Sequence, residues 1–181
     1  MQKKPFLQRL LKVALKPITY PAKLLFTPLR YVKKKMRANV VKVSIKGMKP
    51  GNMITVEWKN KAIVILKRSK AILKSIDNIT EKTLDPYSTK KKDQPKYAKN
   101  AHRSIRKDVF VFINICTHTG CSTQYKEHQP YKKIFVCPCH GSKFDLAGRV
   151  LKGSPAPRNL EVPPYKFIDE NTILIGKHQK S

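Results

Sequence analysis

All four cysteines of this 181-residue chain fall between positions 116 and 139, in two short segments that each also contain a histidine. The segments read Cys116-Thr-His118-Thr-Gly-Cys121 and Cys137-Pro-Cys139-His140-Gly-Ser142. Thiols and imidazoles gathered at so few positions indicate an inorganic site, a disulfide or both. A fold of this chain therefore has to bring the two segments together in space.

Each segment offers one thiolate and one imidazole, and the candidate ligands are Cys116, His118, Cys137 and His140. In one kind of [2Fe–2S] cluster, two cysteines bind one iron and two histidines bind the other. Neutral imidazoles reduce the negative charge at such a cluster, which raises its reduction potential, and their second nitrogen can carry a proton. Two cysteines and two histidines also suit structural zinc, and four cysteines also suit two disulfides. The glycine and the further cysteine in each segment favour the cluster.

The other three histidines lie in polar stretches, and we predict that they are surface residues: His102, His128 and His178.

Beyond Arg37 the chain has the pattern of short β-strands separated by turns. Strands are predicted at residues 40–45, 54–58, 62–66, 109–115, 149–151, 161–162 and 172–175. Residues 70–84 have a weaker helical pattern, and residues 85–99 are polar and interrupted by proline, as in an irregular loop. The prediction is an all-β fold, an antiparallel sandwich or barrel.

The chain is strongly basic, with 39 lysines and arginines, 11 acidic residues and a net charge of +28. The basic residues are spread along the whole sequence and no nucleic-acid-binding motif accompanies them, so we predict solvated surface charge and expect no nucleic-acid partner.

Residues 1–35 contain no acidic residue and alternate apolar blocks with lysine and arginine. They are predicted to be a basic helical segment that anchors or targets the chain, and an amphipathic helix on an anionic membrane and a basic tail both fit.

The two segments resemble the cysteine–histidine boxes of the Rieske iron–sulfur subunit of ubiquinol–cytochrome c reductase. The resemblance extends to Gly153-Ser-Pro-Ala-Pro-Arg-Asn-Leu160, which is similar to the proline loop that covers the cluster in that family, and it spans roughly residues 38–178. It implies a Rieske antiparallel β-sandwich at residues 41–178 with a small cluster-binding subdomain at about 109–149. A hinge at 36–40 would join this domain to residues 1–35.

The resemblance also implies the cofactor and the roles of individual residues. One [2Fe–2S] cluster per subunit would be held by Cys116 and His118 from the first box and by Cys137 and His140 from the second. The remaining pair, Cys121 and Cys139, would form the disulfide of the family, which indicates an oxidising compartment.

The function implied by the resemblance is that of a one-electron carrier and enzyme subunit. It would accept an electron from quinol and pass it to a c-type cytochrome, with His118 and His140 taking part directly. The implied partners are cytochrome b, a c-type cytochrome, quinol and the membrane. The implied location is a bacterial inner membrane with the cluster on the periplasmic side. The alternative is a Rieske ferredoxin that serves an oxygenase.

Two positions near the boxes bear on the reduction potential, and two others bear on export. Ser142 matches the serine whose hydroxyl donates to a bridging sulfide in the family, which raises the potential. Phe144 stands where the family usually has a tyrosine, so a donor is missing and a lower potential is expected. Lys3 and Lys4 stand where a twin-arginine export signal would have arginines, which places that export route in doubt.

Overall fold

The computed structural model describes residues 39–90, 93–127, 129 and 133–178. The described strands are β1 (Val41–Ser44), β2 (Met53–Trp58), β3 (Lys61–Lys67), β4 (Val109–Ile113), β5 (Gln124–Glu127), β6 (Lys133–Val136), β7 (Lys143–Phe144), β8 (Tyr165–Asp169) and β9 (Thr172–Ile175). One α-helix, α1, spans Lys70–Ile79, and 3-10 turns span Thr80–Lys82 and Lys96–Ala98. The predicted segment 1–35, the first three residues of the predicted hinge at 36–40, and His128 lie outside the described residues.

The strands form three antiparallel sheets of three strands each within the described part of the chain. Their orders are β1-β9-β8, β2-β3-β4 and β5-β6-β7, and the last is called the small sheet below. The all-β antiparallel prediction is confirmed. Strand β4 pairs with β3 along its whole length, and two residues, Asn114 and Ile115, lead from its end to the first cysteine. The proposed limits of the domain and of its cluster-binding part stay predictions.

One hydrophobic core contains residues from all three sheets. Strand β4 lies at one end of the strand order in its sheet, yet it is buried at every position and all five of its residues belong to the core. The ring of Phe112 stacks on Phe110 at 4.9 Å between centroids and meets Phe135 of the small sheet at 4.8 Å. Such aromatic contacts add to the burial energy, and here they attach the small sheet to the strand that leads into the site.

Helix α1 confirms the helical pattern predicted from residue 70 onwards. It begins after Ser69, whose side-chain oxygen accepts a hydrogen bond from the backbone N–H of Ile72 at 3.2 Å. This is the usual role of serine at a helix N-terminus. The helix buries Ile72, Ile76 and Ile79 on one face and continues into the 3-10 turn that ends at Lys82. Within the described residues, no helix has the length and apolar character needed to cross a membrane.

Several strand predictions were wrong in detail. Val150 and Leu151 do not form a strand. Each makes a single isolated bridge, Val150 to Phe144 and Leu151 to Thr83. Residues 161–162 are not part of a β-strand. Strands β5, β6, β7 and β8 were missed.

Candidate metal centre

The first predicted segment, residues 116–121, forms a tight loop that follows β4 and is called the first ligand loop. The backbone N–H of Cys116 donates to the carbonyl of Cys121 at 2.7 Å, and the N–H of Gly120 donates to the carbonyl of Cys116 at 3.0 Å. Gly120 has φ +88°, a left-handed conformation that favours glycine. The glycine in the motif is therefore needed to close the loop.

The second segment, residues 137–142, forms the second ligand loop between β6 and β7. It repeats the pattern of the first: the N–H of Cys137 donates to the carbonyl of Ser142 at 2.8 Å, and the N–H of Gly141 donates to the carbonyl of Cys137 at 3.0 Å. Gly141 has φ +72°. Two equivalent turns thus present a cysteine at their start and a histidine near their tip.

The four predicted ligands divide into two buried thiols and two exposed imidazoles. Cys116 is 1% exposed and Cys137 is fully buried, and both are free thiols. His118 and His140 are exposed, and their ring centroids lie 4.8 Å apart with the rings nearly perpendicular. The donor set fits a cluster that takes two sulfur ligands on the protein side and two nitrogen ligands on the solvent side.

The surroundings of the Cys116 thiol combine opposing effects. Burial raises the pKa of Cys116 above its ordinary value, while hydrogen bonds from the His118 backbone and the Ser142 hydroxyl act to lower it. The neighbouring Cys137 thiol raises it further. A metal ligand has to be the thiolate, so the positive charge of iron would supply the stabilisation that this buried pocket lacks.

The cysteines that are not predicted ligands form the predicted disulfide. The bond joins Cys121 of the first ligand loop to Cys139 of the second, with a Cα–Cα distance of 6.6 Å. The Sγ atoms of Cys121, Cys137 and Cys139 all lie within 4.8 Å of one another. Cys116 and Cys137 are free thiols, so the alternative of two disulfides is wrong. The pairing that the resemblance implied is confirmed.

The proline loop, residues 153–160, is hydrogen-bonded to both ligand loops or their flanks. Ser142 Oγ accepts from the backbone N–H of Ala156 at 3.1 Å, and Ser154 Oγ accepts from the N–H of Lys143 at 3.1 Å. Thr117 Oγ1 donates to the carbonyl of Arg158 at 2.6 Å. Ser142 is fully buried beneath the loop. Its hydrogen bond to a bridging sulfide stays a prediction.

Phe144 lies two residues after Ser142 in β7. It is fully buried, and it is the cross-strand partner of Phe135 in the small sheet. Its ring fills the core behind the second ligand loop and has no group that donates a hydrogen bond.

Sequence reasoning missed a set of buried charged residues behind the site, because lysine and arginine were taken as solvated surface. Arg68, Arg103 and Arg149 are at most 3% exposed. Arg149 forms an ion pair with Asp145 at 2.7 Å, with both side chains fully buried. Burial lowers the pKa of Arg68 to about 9 and that of Arg103 to about 10, so both remain charged at neutral pH.

These arginines donate mainly to backbone carbonyls of loops, a use that no local sequence pattern reveals. Arg103, for example, donates to the carbonyls of Ala147, Gly148 and Leu160 at 3.3, 3.1 and 2.6 Å.

The prediction that His102 is a surface residue was wrong. His102 is half-buried, and burial followed by the charge of Arg68 lowers its pKa. His178 is exposed, as predicted.

Comparisons with known proteins agree with this geometry. The family model described as the Rieske [2Fe-2S] domain matches residues 39–166. The ubiquinol-cytochrome c reductase iron-sulfur subunit of Allochromatium vinosum is 41% identical over 148 residues, which cover 78% of this chain and 71% of that protein. The mitochondrial cytochrome b-c1 complex subunit Rieske of Solanum tuberosum is 36% identical over 140 residues, which cover 75% of this chain and 46% of the potato protein.

Among solved structures, the hyperthermophilic respiratory complex III contains a chain that is similar over 83% of this chain and 88% of its own length. The TM-score is 0.47 and the sequence identity is 22%, so this likeness supports no argument about function.

Proposed function

Because the chain belongs to the Rieske [2Fe–2S] domain family, we propose that it is the one-electron carrier subunit of a quinol–cytochrome c oxidoreductase. The observation that carries the proposal is the disulfide between Cys121 and Cys139, which joins the two ligand loops beside the buried thiols. The name of the relative from Allochromatium vinosum, an iron-sulfur subunit of ubiquinol-cytochrome c reductase, supports it.

The residues that would hold the cluster are Cys116 and Cys137 through sulfur and His118 and His140 through nitrogen. When bound, the [2Fe–2S] cluster supplies a place for one electron at a potential raised by its imidazole ligands. The exposed rings of His118 and His140 are accessible to a quinol hydroxyl. A ring nitrogen that is not bound to metal would accept a hydrogen bond from quinol and then hold its proton.

The proposed partners are cytochrome b and a c-type cytochrome, with quinol as the electron donor. The proposed location is the periplasmic side of a bacterial inner membrane. Residues 1–35 as a membrane anchor or targeting segment and residues 36–40 as a hinge belong to the same proposal. A disulfide persists in an oxidising compartment, which supports the placement outside the cytosol.

A Rieske ferredoxin that serves an oxygenase is the alternative, and the disulfide argues against it. Rieske ferredoxins have a similar pattern of cluster ligands, but they lack the additional pair of cysteines. The formed bond between Cys121 and Cys139 therefore favours the quinol-oxidising class.

The ligand assignment is tested by absorption and electron paramagnetic resonance spectra of the purified full chain. We expect the signal of a reduced Rieske cluster in the native protein, and its loss in His118→Ala and His140→Ala. The matched control is His178→Ala, an exposed histidine whose loss should leave the spectrum unchanged. A colourless protein that contains zinc would refute the proposal.

The quinol-oxidising role is tested separately in bacterial membranes that contain cytochrome b and a c-type cytochrome but lack their own iron–sulfur subunit. The chain should restore cytochrome c reduction by quinol, and the His140→Ala variant should not. Reduction of an oxygenase without restoration of quinol oxidation would favour the ferredoxin alternative.

A further inference from the structure

Asp93 makes two contacts with the segment that ends the proline loop and continues to Val162. Its carboxylate oxygen Oδ1 accepts a hydrogen bond from Arg158 Nη1 at 2.5 Å, and its backbone carbonyl accepts from the N–H of Val162 at 2.8 Å. Asp93 is 1% exposed, whereas the Arg158 side chain is 42% exposed. The charge pair therefore has a buried acidic end and a basic end that reaches it from the surface.

Arg103 fixes Asp93 and the same stretch of chain from the interior. Its Nη2 atom donates to the carbonyl of Asp93 at 3.2 Å and to the carbonyl of Leu160 at 2.6 Å. Alternate residues from Arg158 to Val162 are thus attached either to Asp93 or to the arginine that supports it.

The same stretch is attached to the first ligand loop. The carbonyl of Arg158 accepts the hydroxyl hydrogen bond of Thr117 at 2.6 Å. Thr117 lies between Cys116 and His118, so a displacement of the Arg158 backbone would displace the residue that joins two of the ligands.

The ion pair should be sensitive to loss of either partner. Asp93 Oδ2 is buried and has no hydrogen-bond partner among the described residues. Within that part of the chain, Arg158 supplies the side-chain hydrogen bond to the carboxylate, while the buried guanidinium of Arg103 acts on it through its charge. Replacement of Arg158 would remove a hydrogen bond from the buried carboxylate of Asp93, which is costly for a buried charged group.

We propose that Asp93 and Arg158 are positioning residues that hold the proline loop against the first ligand loop, and through Thr117 fix the arrangement of Cys116 and His118. The inference rests on the proposed function, because it takes these two residues as ligands. Neither Asp93 nor Arg158 needs to touch the cluster for this role.

The primary test is the Arg158→Met variant of the full chain, because Arg158 is partly exposed and its replacement leaves the core volume intact. We expect a changed line shape in the electron paramagnetic resonance spectrum of the reduced protein. We also expect loss of the cluster in the presence of a chelator to be about tenfold faster, the lower end of what outer contacts around a metal site contribute. Arg158→Lys keeps the charge and should recover part of both properties.

The matched control is another ion pair, Lys67 with Asp108 at 2.8 Å, which lies at the far end of β4 from Cys116. Lys67→Met should leave the line shape and the rate of cluster loss at native values, even if the free energy of unfolding of this variant is lower than that of the native protein. A native spectrum and native rate in Arg158→Met would overturn the proposal. So would equal effects in Lys67→Met, because these would indicate general destabilisation.

Asp93→Asn and the double variant with Arg158→Met provide the second test. If the two residues act as a pair, the double variant should lose its cluster no faster than the more affected single variant. Rates that multiply would contradict a shared role. If Asp93→Asn does not fold, the Arg158 variants decide the matter alone.

Amide hydrogen exchange on the chain without its cluster separates this proposal from the proposed function. In Arg158→Met, exchange should be faster at Val162 and at Gly120, whose amide closes the first ligand loop. Unchanged exchange at Gly120 would overturn the positioning role even if the native spectrum is that of a Rieske cluster. Absence of that spectrum in the native protein would instead defeat the proposed function.

Discussion

Two side chains beside the second ligand loop differ in what they offer to a bound cluster. Ser142 is fully buried, accepts the amide of Ala156, and is close enough to Cys116 for its hydroxyl to affect the pKa of that thiol. Phe144 is equally buried but offers only a ring. A hydroxyl that donates to cluster or ligand sulfur stabilises the more negative reduced state. The resemblance implies a second donor, a tyrosine, at the position of Phe144, so we predict one potential-raising donor in this site instead of two.

Restoring the second donor should raise the reduction potential. In Phe144→Tyr the added hydroxyl would lie next to the second ligand loop, and we expect a higher midpoint in a redox titration of the purified protein. A buried hydroxyl without a partner would instead cost about 1–3 kcal/mol of stability, so the free energy of unfolding should be measured alongside.

The control for this change is Phe167→Tyr in β8, which adds the same hydroxyl in a different sheet. Its midpoint should equal that of the native protein. An unchanged or lowered midpoint in Phe144→Tyr would contradict the explanation.

The two ligand loops are the elements that build the site, and the disulfide is their covalent connection. Cys121 and Cys139 are separated by 18 positions, and closing a loop of this size in the unfolded chain is worth about 3 kcal/mol. The double variant Cys121→Ala with Cys139→Ala should lose about that much free energy of unfolding in denaturant titrations, and its cluster should be lost faster.

Treatment of the native protein with a reductant should have the same effect on stability, while the double variant should not respond. Equal stability of native and variant chains would show that the hydrogen bonds within each loop are sufficient to hold the site.

The ligands and the strands near them could be predicted from the sequence because both depend on local patterns. Strands β2 and β3 consist mainly of β-branched and other apolar residues and lie between turns, and the ligand spacing is fixed by the loops themselves. Strand β5, Gln124–Glu127, was missed because it is mostly exposed and polar. Strand β8 was missed because it follows Pro163 and Pro164 directly.

The contacts that hold the site from behind could not be predicted. In the sequence, Arg103 and Arg149 cannot be distinguished from the other basic residues of a chain with a net charge of +28. In the structure, both are fully buried. Their partners are mainly backbone carbonyls, together with side chains such as that of Asp145, and some of them are more than forty residues away in sequence. Only the three-dimensional fold brings such groups together.

For the molecule as a whole, the excess of basic residues gives a carboxylate such as Asp108 several positive neighbours. Asp108 accepts hydrogen bonds from Arg106 and Lys67, each at 2.8 Å for Oδ2. Burial alone would raise the pKa of Asp108, but these partners outweigh it and lower the pKa to about 2 from its ordinary 3.8.

A carboxylate with a lowered pKa in the folded state stabilises the protein above the pKa of the unfolded chain. This contribution is lost as the pH falls from about 4 to about 2. In Asp108→Asn the free energy of unfolding should therefore be lower than in the native protein at pH 7, and the difference should shrink through that window. Denaturant titrations at pH 7, 4 and 2.5 check this, and a difference that stays constant with pH would contradict it.

The exposure of His118 and His140 above the buried thiols has a consequence for the speed of the proposed carrier. Cytochrome b, the proposed partner on the quinol side, and the c-type cytochrome would both have to approach the same small face, and two large proteins cannot occupy that face together. Each partner must leave before the next arrives, so its residence time limits turnover. Fast dissociation then matters more than tight binding, and we expect each of the two contacts to be weak.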